Sequence, residues 1–251
     1  MKEFERDRLK VKVLDTRLAL GQAAAEIVAD KIRKLMIDKA VVNIIFAAAP
    51  SQNEFLAFLV KQQEIDWNCV NAFHMDEYIG LPENAPQRFG RFLKESLFDK
   101  LEFRSVNYID GNAVNAEDTC ECYAQLLAQY PPDIVCMGIG ENGHIAFNDP
   151  HVADFNDPKI VKVVDLDLVC RQQQVNDGCF STLSDVPAHA ITLTIPKLLA
   201  AQAIYCMVPG KSKADAIAAM LSGKIDELCP ASFLRTHSNA ILFLDRDSFS
   251  Y

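Results

Sequence analysis

Apolar residues fall along this chain in two alternating rhythms. Leu20, Ala24, Ile27, Val28 and Ile32 recur at helical spacing after Asp15 and Thr16, either of which can cap a helix running toward Lys39. The rhythm then changes to a short, nearly unbroken apolar run at 41–46, which reads as a buried strand. The exchange repeats: a helix over 53–61 with Ser51 as its candidate cap, a strand at 70–74, a helix over 88–97, and a short strand at 106–109. A helix over 116–129, stopped by Pro131-Pro132, and a strand at 134–139 follow. Further on, 160–164 looks extended, 190–195 and 203–208 read as strands, 211–221 as a helix, and 240–244 as a last strand.

Strands that are apolar throughout and separated by helices predict an α/β chain with a mostly parallel sheet covered on both faces. No repeat and no low-complexity linker divides it, so one domain is expected over 1–251. The least regular stretch, about 150–190, holds Asp149-Pro150, Asp157-Pro158 and Asn176-Asp177-Gly178, and reads as an active-site loop or small lid.

Composition narrows the function classes. Half of the 251 residues are hydrophobic and the net charge is −9, an acidic globule that lacks the positive face of a general nucleic-acid binder. The amino-terminal residues carry no apolar leader segment, and no run approaches the roughly 20 apolar residues of a membrane helix. A cytoplasmic protein with neither nucleic-acid nor membrane partners is expected. The eight cysteines, several inside apolar runs, read as reduced thiols rather than a disulfide or metal framework.

In an open parallel sheet, ligands sit beyond the carboxyl ends of the strands, and four loops there carry candidate chemistry. Residues 47–53 are small and enter a helix, as an anion loop or simply a tight turn would. Asp76-Glu77 ends a strand, where a partly buried carboxylate can act as a general base; a solvated acidic turn reads equally from the segment alone. Gly140 and Gly143 frame Asn142 and His144, with Asp149 five residues on, and the imidazole there is a candidate proton shuttle. Lys211 and Lys213 open a helix, where cations oppose the helix dipole and suggest an anionic partner.

These loops, in this order, resemble the glucosamine-6-phosphate deaminase (glucosamine/galactosamine-6-phosphate isomerase) family. Phe73-His74-Met75-Asp76-Glu77-Tyr78-Ile79-Gly80-Leu81-Pro82 is similar to its F-N-M-D-E-Y-x-G-L-P, and Gly140 to Pro150 (GENGHIAFNDP) to its G-x-D-G-H-I-A-F-N-E-P. The resemblance runs from about 16 to 245. It implies a Rossmann-like three-layer α/β sandwich, a sugar-phosphate substrate, and conversion of glucosamine 6-phosphate and water to fructose 6-phosphate and ammonia. No cofactor and no metal are implied, and a homo-oligomer is compatible. It implies Asp76 as the base at C2 and His144 as the group that opens the pyranose ring, with Asn142 and Asp149 at the histidine-supporting positions. Ala48, Ala49 and Ser51 fall in the phosphate loop, Lys213 matches a phosphate-binding lysine, and Glu77 and Gly143 stand within the two motifs as candidate substrate contacts.

Four departures from the family pattern matter. Asn142 stands where the family has an aspartate, and Asp149 where it has a glutamate. The phosphate loop is Ala-Ala-Ala-Pro-Ser. Arg171, the nearest candidate for the family's phosphate-binding arginine, is followed by Gln172-Gln173-Gln174, which does not fit. If the missing charge at 142 limits ring opening, Asn142→Asp should raise turnover. A catalytically altered sugar-phosphate sensor and a 6-phosphogluconolactonase-like hydrolase are the alternative readings.

Overall fold

A computed structural model describes residues 2–249. In chain order the elements are β1 (Lys2–Arg6), β2 (Leu9–Val13), α1 (Arg17–Asp38), β3 (Val42–Phe46), α2 (Asn53–Leu59), β4 (Val70–His74), β5 (Asp76–Tyr78) and α3 (Phe89–Ser96). Then come β6 (Ser105–Asn107), α4 (Ala116–Gln129), β7 (Ile134–Met137), β8 (Val161–Asp165), α5 (Leu168–Asn176) and β9 (His189–Leu193). The chain closes with α6 (Ile195–Leu199), β10 (Ala203–Val208), α7 (Ala214–Ser222) and β11 (Ala240–Leu244).

Eight strands form the central sheet in the order β1-β2-β11-β10-β7-β3-β4-β6. Every neighbouring pair is parallel except the β1–β2 hairpin. Successive side chains of a strand point to opposite faces, and here both faces are dry. Ile45, Phe73, Val135, Ile204 and Leu242 pack against α4, α6 and α7 on one side. Ile44, Phe46, Ala72, Cys136, Tyr205 and Phe243 pack against α1, α2 and α3 on the other. This is the expected three-layer α/β sandwich. No described helix is long and apolar enough to cross a membrane.

Local chemistry explains the element boundaries. Thr16 starts α1 by accepting the Ala19 amide at 3.1 Å. Asn115 does the same for α4, and Asp167 for α5. Ser51, expected as a cap, is not one. It lies in a 3-10 turn at 50–52, and its hydroxyl accepts a hydrogen bond from the Gln52 side chain instead. The stretch expected to be irregular carries β8 and α5. Strand β8 joins β9 and β5 in a second, antiparallel sheet, with its own cluster of Tyr78, Phe147, Val164, Leu166 and Phe180.

Strand β3 pairs with β4 on one side and β7 on the other. The chain fills the sheet outward from this pair in both directions, so crossovers leave β3 and β7 toward opposite edges. Such a switch point opens a crevice beyond the carboxyl ends of the two strands.

Candidate active site

A cavity of about 490 Å³ lies at that crevice, within the usual size range of small-molecule sites. Its wall takes Ala47, Ala48, Ala49, Pro50 and Ser51 from the loop after β3, and Met75 and Asp76 from beyond β4. Gly138, Ile139, Gly140 and His144 come from the turn after β7, and Gly210, Ser212 and Lys213 from the loop after β10. Helix α5 and the residues after it contribute Gln173, Gln174, Asp177, Gly178 and Cys179, and α1 contributes Arg17.

Asp76 is held as the first residue of β5, opposite Thr192 of β9. Its carbonyl accepts Nδ1–H of the buried His74 at 2.9 Å, while Nε2 of that ring accepts the Ile109 amide at 2.9 Å. The two contacts fix one neutral tautomer, and burial brings the His74 pKa down to about 4. His74 is therefore a buried brace for the Asp76 backbone. The Asp76 carboxyl is itself buried, which pushes its pKa well above the carboxylate range, and the neighbouring charge of Glu77 adds to the rise.

Glu77 points elsewhere. Its carboxylate accepts the backbone amides of Tyr78 (2.9 Å), Phe89 (3.0 Å) and Gly90 (2.9 Å), and it does not line the cavity. It joins β5 to the amino end of α3. Where a substrate contact was expected, the structure shows the carboxylate engaged with these three backbone amides.

The turn after β7 folds back on itself. The Gly140 amide donates to the His144 carbonyl, and the Gly143 amide to that of Gly140, at 2.9 and 3.0 Å. The imidazole lies over the Gly140 Cα, so a Cβ there would sit 2.0 Å from Cε1 of His144. Gly143 has φ +82, and its carbonyl accepts the Ala231 amide. It shapes the turn but, like Asn142, does not line the cavity.

His144 Nδ1 lies 2.7 Å from Asn142 Oδ1 and 3.0 Å from Asp149 Oδ1. Asp149 is fully buried. Burial pushes its pKa up, but hydrogen bonds from His144, Asn142 and the Asp167 amide, with the His144 charge, outweigh this and hold it below the usual carboxylate value. Asn142 Nδ2 donates to Asp149 Oδ1 at 3.0 Å and to Asp167 Oδ2 at 3.1 Å. Asp149, His151 and Asp167 bring donor atoms close together, as do His144, Asp149 and Cys170. An amide N–H aimed at two of those carboxylates is the wrong partner for a cation.

The cavity wall also carries two cations, Lys213 and Arg17. Lys213 is 5 % exposed, and its ammonium has no hydrogen-bond partner among the described residues. Burial pulls its pKa down, against the upward pull of Asp177 and Glu141. Arg17 joins it. Its Nε lies 2.7 Å from Glu54, and an Nη2–H donates to the Pro50 carbonyl. These contacts fix the guanidinium beside the alanine loop with N–H groups to spare.

Arg171, by contrast, is turned away. It donates to the carbonyls of Leu183 (2.9 Å) and Val186 (2.7 Å), does not line the cavity, and straps α5 to the following loop. The expected phosphate contact is not among the contacts its guanidinium makes in this structure. Sequence reasoning missed Arg17, although the argument applied to the lysines reaches it: a cation in the first turn of a helix opposes the dipole.

The chain is similar to known proteins over most of its length. The family model described as glucosamine-6-phosphate isomerases/6-phosphogluconolactonase matches residues 15–243. A glucosamine-6-phosphate deaminase of Bacillus cytotoxicus is 34% identical over 191 residues, covering 76% of this chain and 71% of that protein. One from Bacillus thuringiensis is 35% identical over the same span. Among solved structures, a monomeric glucosamine-6-phosphate deaminase superposes with TM-score 0.87 at 30% identity, over 96% of this chain and 98% of that one. A 6-phosphogluconolactonase from Thermotoga maritima shares the fold, with TM-score 0.77 at 21% identity over 94% of this chain and 99% of that one. With nearly the whole chain matched, the protein belongs to the glucosamine-6-phosphate isomerase/6-phosphogluconolactonase family.

Proposed function

We propose that this protein is an aminosugar-phosphate deaminase that converts glucosamine 6-phosphate, or a close relative, and water to the ketose phosphate and ammonia. The observation that carries the reading is that Asp76, His144 and Lys213 line one cavity. Lys213, with Arg17 and Ser51, holds the phosphate at one end, and the sugar then extends toward Asp76 and His144. All of these groups come from one chain, so a homo-oligomer would be compatible with the reading but is not required by it.

In the neutral ring, Nδ1–H of His144 faces two acceptor oxygens, which leaves Nε2 as the free base. Nε2 takes the proton from the anomeric hydroxyl and returns one to the ring oxygen, opening the pyranose. Asp76 then removes the C2 proton; the C2–H electrons form the C1–C2 double bond while the C1–O π pair moves onto O1, which takes a proton from the substrate's C2 ammonium, giving an enolamine. The same carboxyl delivers a proton to C1, since one face of the sugar serves both carbons. The resulting C2 iminium adds water and expels ammonia. A raised carboxyl pKa suits a group that must both take and return a proton near neutrality.

A lactone hydrolase has no task for a buried carboxyl at Asp76, which favours the deaminase reading over that alternative. The test is ammonia release from glucosamine 6-phosphate, with fructose 6-phosphate followed in the same reaction and galactosamine 6-phosphate run in parallel. Equal amounts of ammonia and ketose are expected. Binding of the sugar phosphates without ammonia at high enzyme would overturn the proposal in favour of a sensor.

A further inference from the structure

Asn142 has a carboxamide with two unlike ends, and its surroundings admit only one orientation. Nδ2 faces a carboxylate oxygen of Asp149 at 3.0 Å and one of Asp167 at 3.1 Å. Oδ1 faces the His144 backbone amide at 3.1 Å and His144 Nδ1 at 2.7 Å. A flipped amide would set oxygen against two carboxylates and an NH2 against an obligate N–H donor. With Oδ1 fixed toward the ring, Nδ1 must carry hydrogen.

We propose that Asp167 is the positioning residue for His144, acting through Asn142, so that the amide at 142 and the carboxylate at 167 form one functional pair. This rests on the reading of His144 as the ring-opening group. Asp167 is well anchored for the task. Its Oδ1 accepts the Cys170 amide at 2.6 Å as the cap of α5, its Oδ2 accepts from Asn142, and its own amide donates to Asp149 Oδ2 at 3.2 Å. Six residues further along, in the same helix, Gln173 Oε1 accepts the Glu141 amide at 2.8 Å. Helix α5 thus grips the histidine turn at two points.

The pair reverses the expectation drawn from the sequence for Asn142→Asp. A carboxylate at 142 would serve His144, but it would also face Asp149 and Asp167 with no hydrogen between them. That substitution should lower turnover. Asp167→Asn fails for the complementary reason. The new amide has one acceptor oxygen for two donors, the Cys170 N–H and Asn142 Nδ2, so an NH2 must face one of them. The double variant Asn142→Asp/Asp167→Asn restores the match between 142 and 167, because the amide at 167 donates to the carboxylate at 142 and its oxygen caps α5; the carboxylate at 142 still faces Asp149 without a hydrogen between them, so the recovery is partial. It also keeps the wild-type net charge.

The experiment compares wild type, both single variants and the double variant in ammonia release, and reads the His144 tautomer from the ring-nitrogen shifts of 15N-histidine protein. Each single variant should lose about 10–100-fold in kcat, the usual scale for losing a group that orients a working histidine. The double should recover at least about ten-fold over the weaker single. Wild type and the double should show the Nδ1–H tautomer, and Asp167→Asn should shift toward Nε2–H. Asparagine remains a good helix cap, so loss of the cap alone predicts neither the recovery nor the tautomer shift. An active wild type whose double variant recovers nothing, with Nδ1–H in every variant, overturns the pair and leaves the deaminase reading standing. An inactive wild type overturns the deaminase reading, while the tautomer series still decides the pair.

Discussion

Lys213 is the sharpest place to set stability against function. A buried ammonium with no partner destabilises the free protein, because an unsatisfied buried polar group costs about 1–3 kcal/mol. Replacing it by the similarly long, uncharged methionine should therefore stabilise the empty protein. Even ~1 kcal/mol raises Tm by about 2–4 °C in a chain of this size. The same change removes a charge-assisted hydrogen bond to a bound phosphate, a contribution of about 1.5–3 kcal/mol, or an affinity loss of about 10–150-fold.

The pH dependence has a definite sign. The folded-state pKa of Lys213 lies below the ordinary lysine value, so the unfolded chain binds more protons between the two. The cost is fully present below the folded value and fades as pH rises from it toward the unfolded one. Wild type should gain stability over that alkaline range relative to Lys213→Met. The assay is thermal unfolding with and without fructose 6-phosphate, at neutral and alkaline pH, with titration calorimetry for affinity. Ligand should raise the wild-type Tm by more than it raises that of the variant. A lower Tm for empty Lys213→Met, or an unchanged affinity for fructose 6-phosphate, would refute the reasoning.

Asp76→Asn should abolish exchange of the C2 proton with solvent while sugar-phosphate affinity stays within about three-fold, a free-energy change under ~1 kcal/mol; retained exchange removes Asp76 from the base role. Because the Asp76 pKa is raised by burial, the acid limb of the wild-type kcat/KM profile should lie above the ordinary carboxylate range. The stability this residue contributes should be greatest below that range and fall as pH climbs through the raised value. Arg17→Ala should raise KM about ten-fold with kcat nearly unchanged, the pattern of lost uniform binding, and an unchanged KM for the phosphorylated sugar would place the guanidinium outside the site.

Much of the layered core was legible because its strands are apolar on both faces and its helices carry stripes. Ile44 and Ile45 face opposite layers, yet both must be apolar, and the run shows it. The β1–β2 hairpin was missed because β1, Lys-Glu-Phe-Glu-Arg, is a largely exposed edge strand with no buried face to impose a pattern. Helix α5 was missed for the opposite reason. Leu168 and Val169 are exposed while Gln173 and Gln174 are buried, so its polarity runs backward. Those glutamines are inside because they line the cavity and hold the Glu141 amide. Asp76, His144 and Lys213 could be picked out because each comes shortly after a strand of the central sheet, although Asp76 itself opens β5 rather than lying in a loop. The Asn142–Asp167 contact spans 25 residues, and no local pattern marks such a pairing.

Glu77 tests the boundary between holding a site and touching a substrate. Its two oxygens accept three backbone amides where β5 meets α3. Glutamine keeps the size but offers one acceptor oxygen, so its NH2 must face at least one of those amides. Losing a hydrogen bond to a charged group and stranding a buried amide each cost about 1–3 kcal/mol. Some return comes from relieving the burial that raises the Glu77 pKa, so the net loss should fall near 2 kcal/mol, or about 4–8 °C in Tm. Asp76 is the adjacent residue on the same three-residue strand, so kcat should fall even without a contact between Glu77 and the sugar. If Lys213 and Arg17 hold the phosphate, sugar-phosphate affinity should hardly change. A Glu77→Gln variant with wild-type Tm and a raised KM would instead return Glu77 to the substrate.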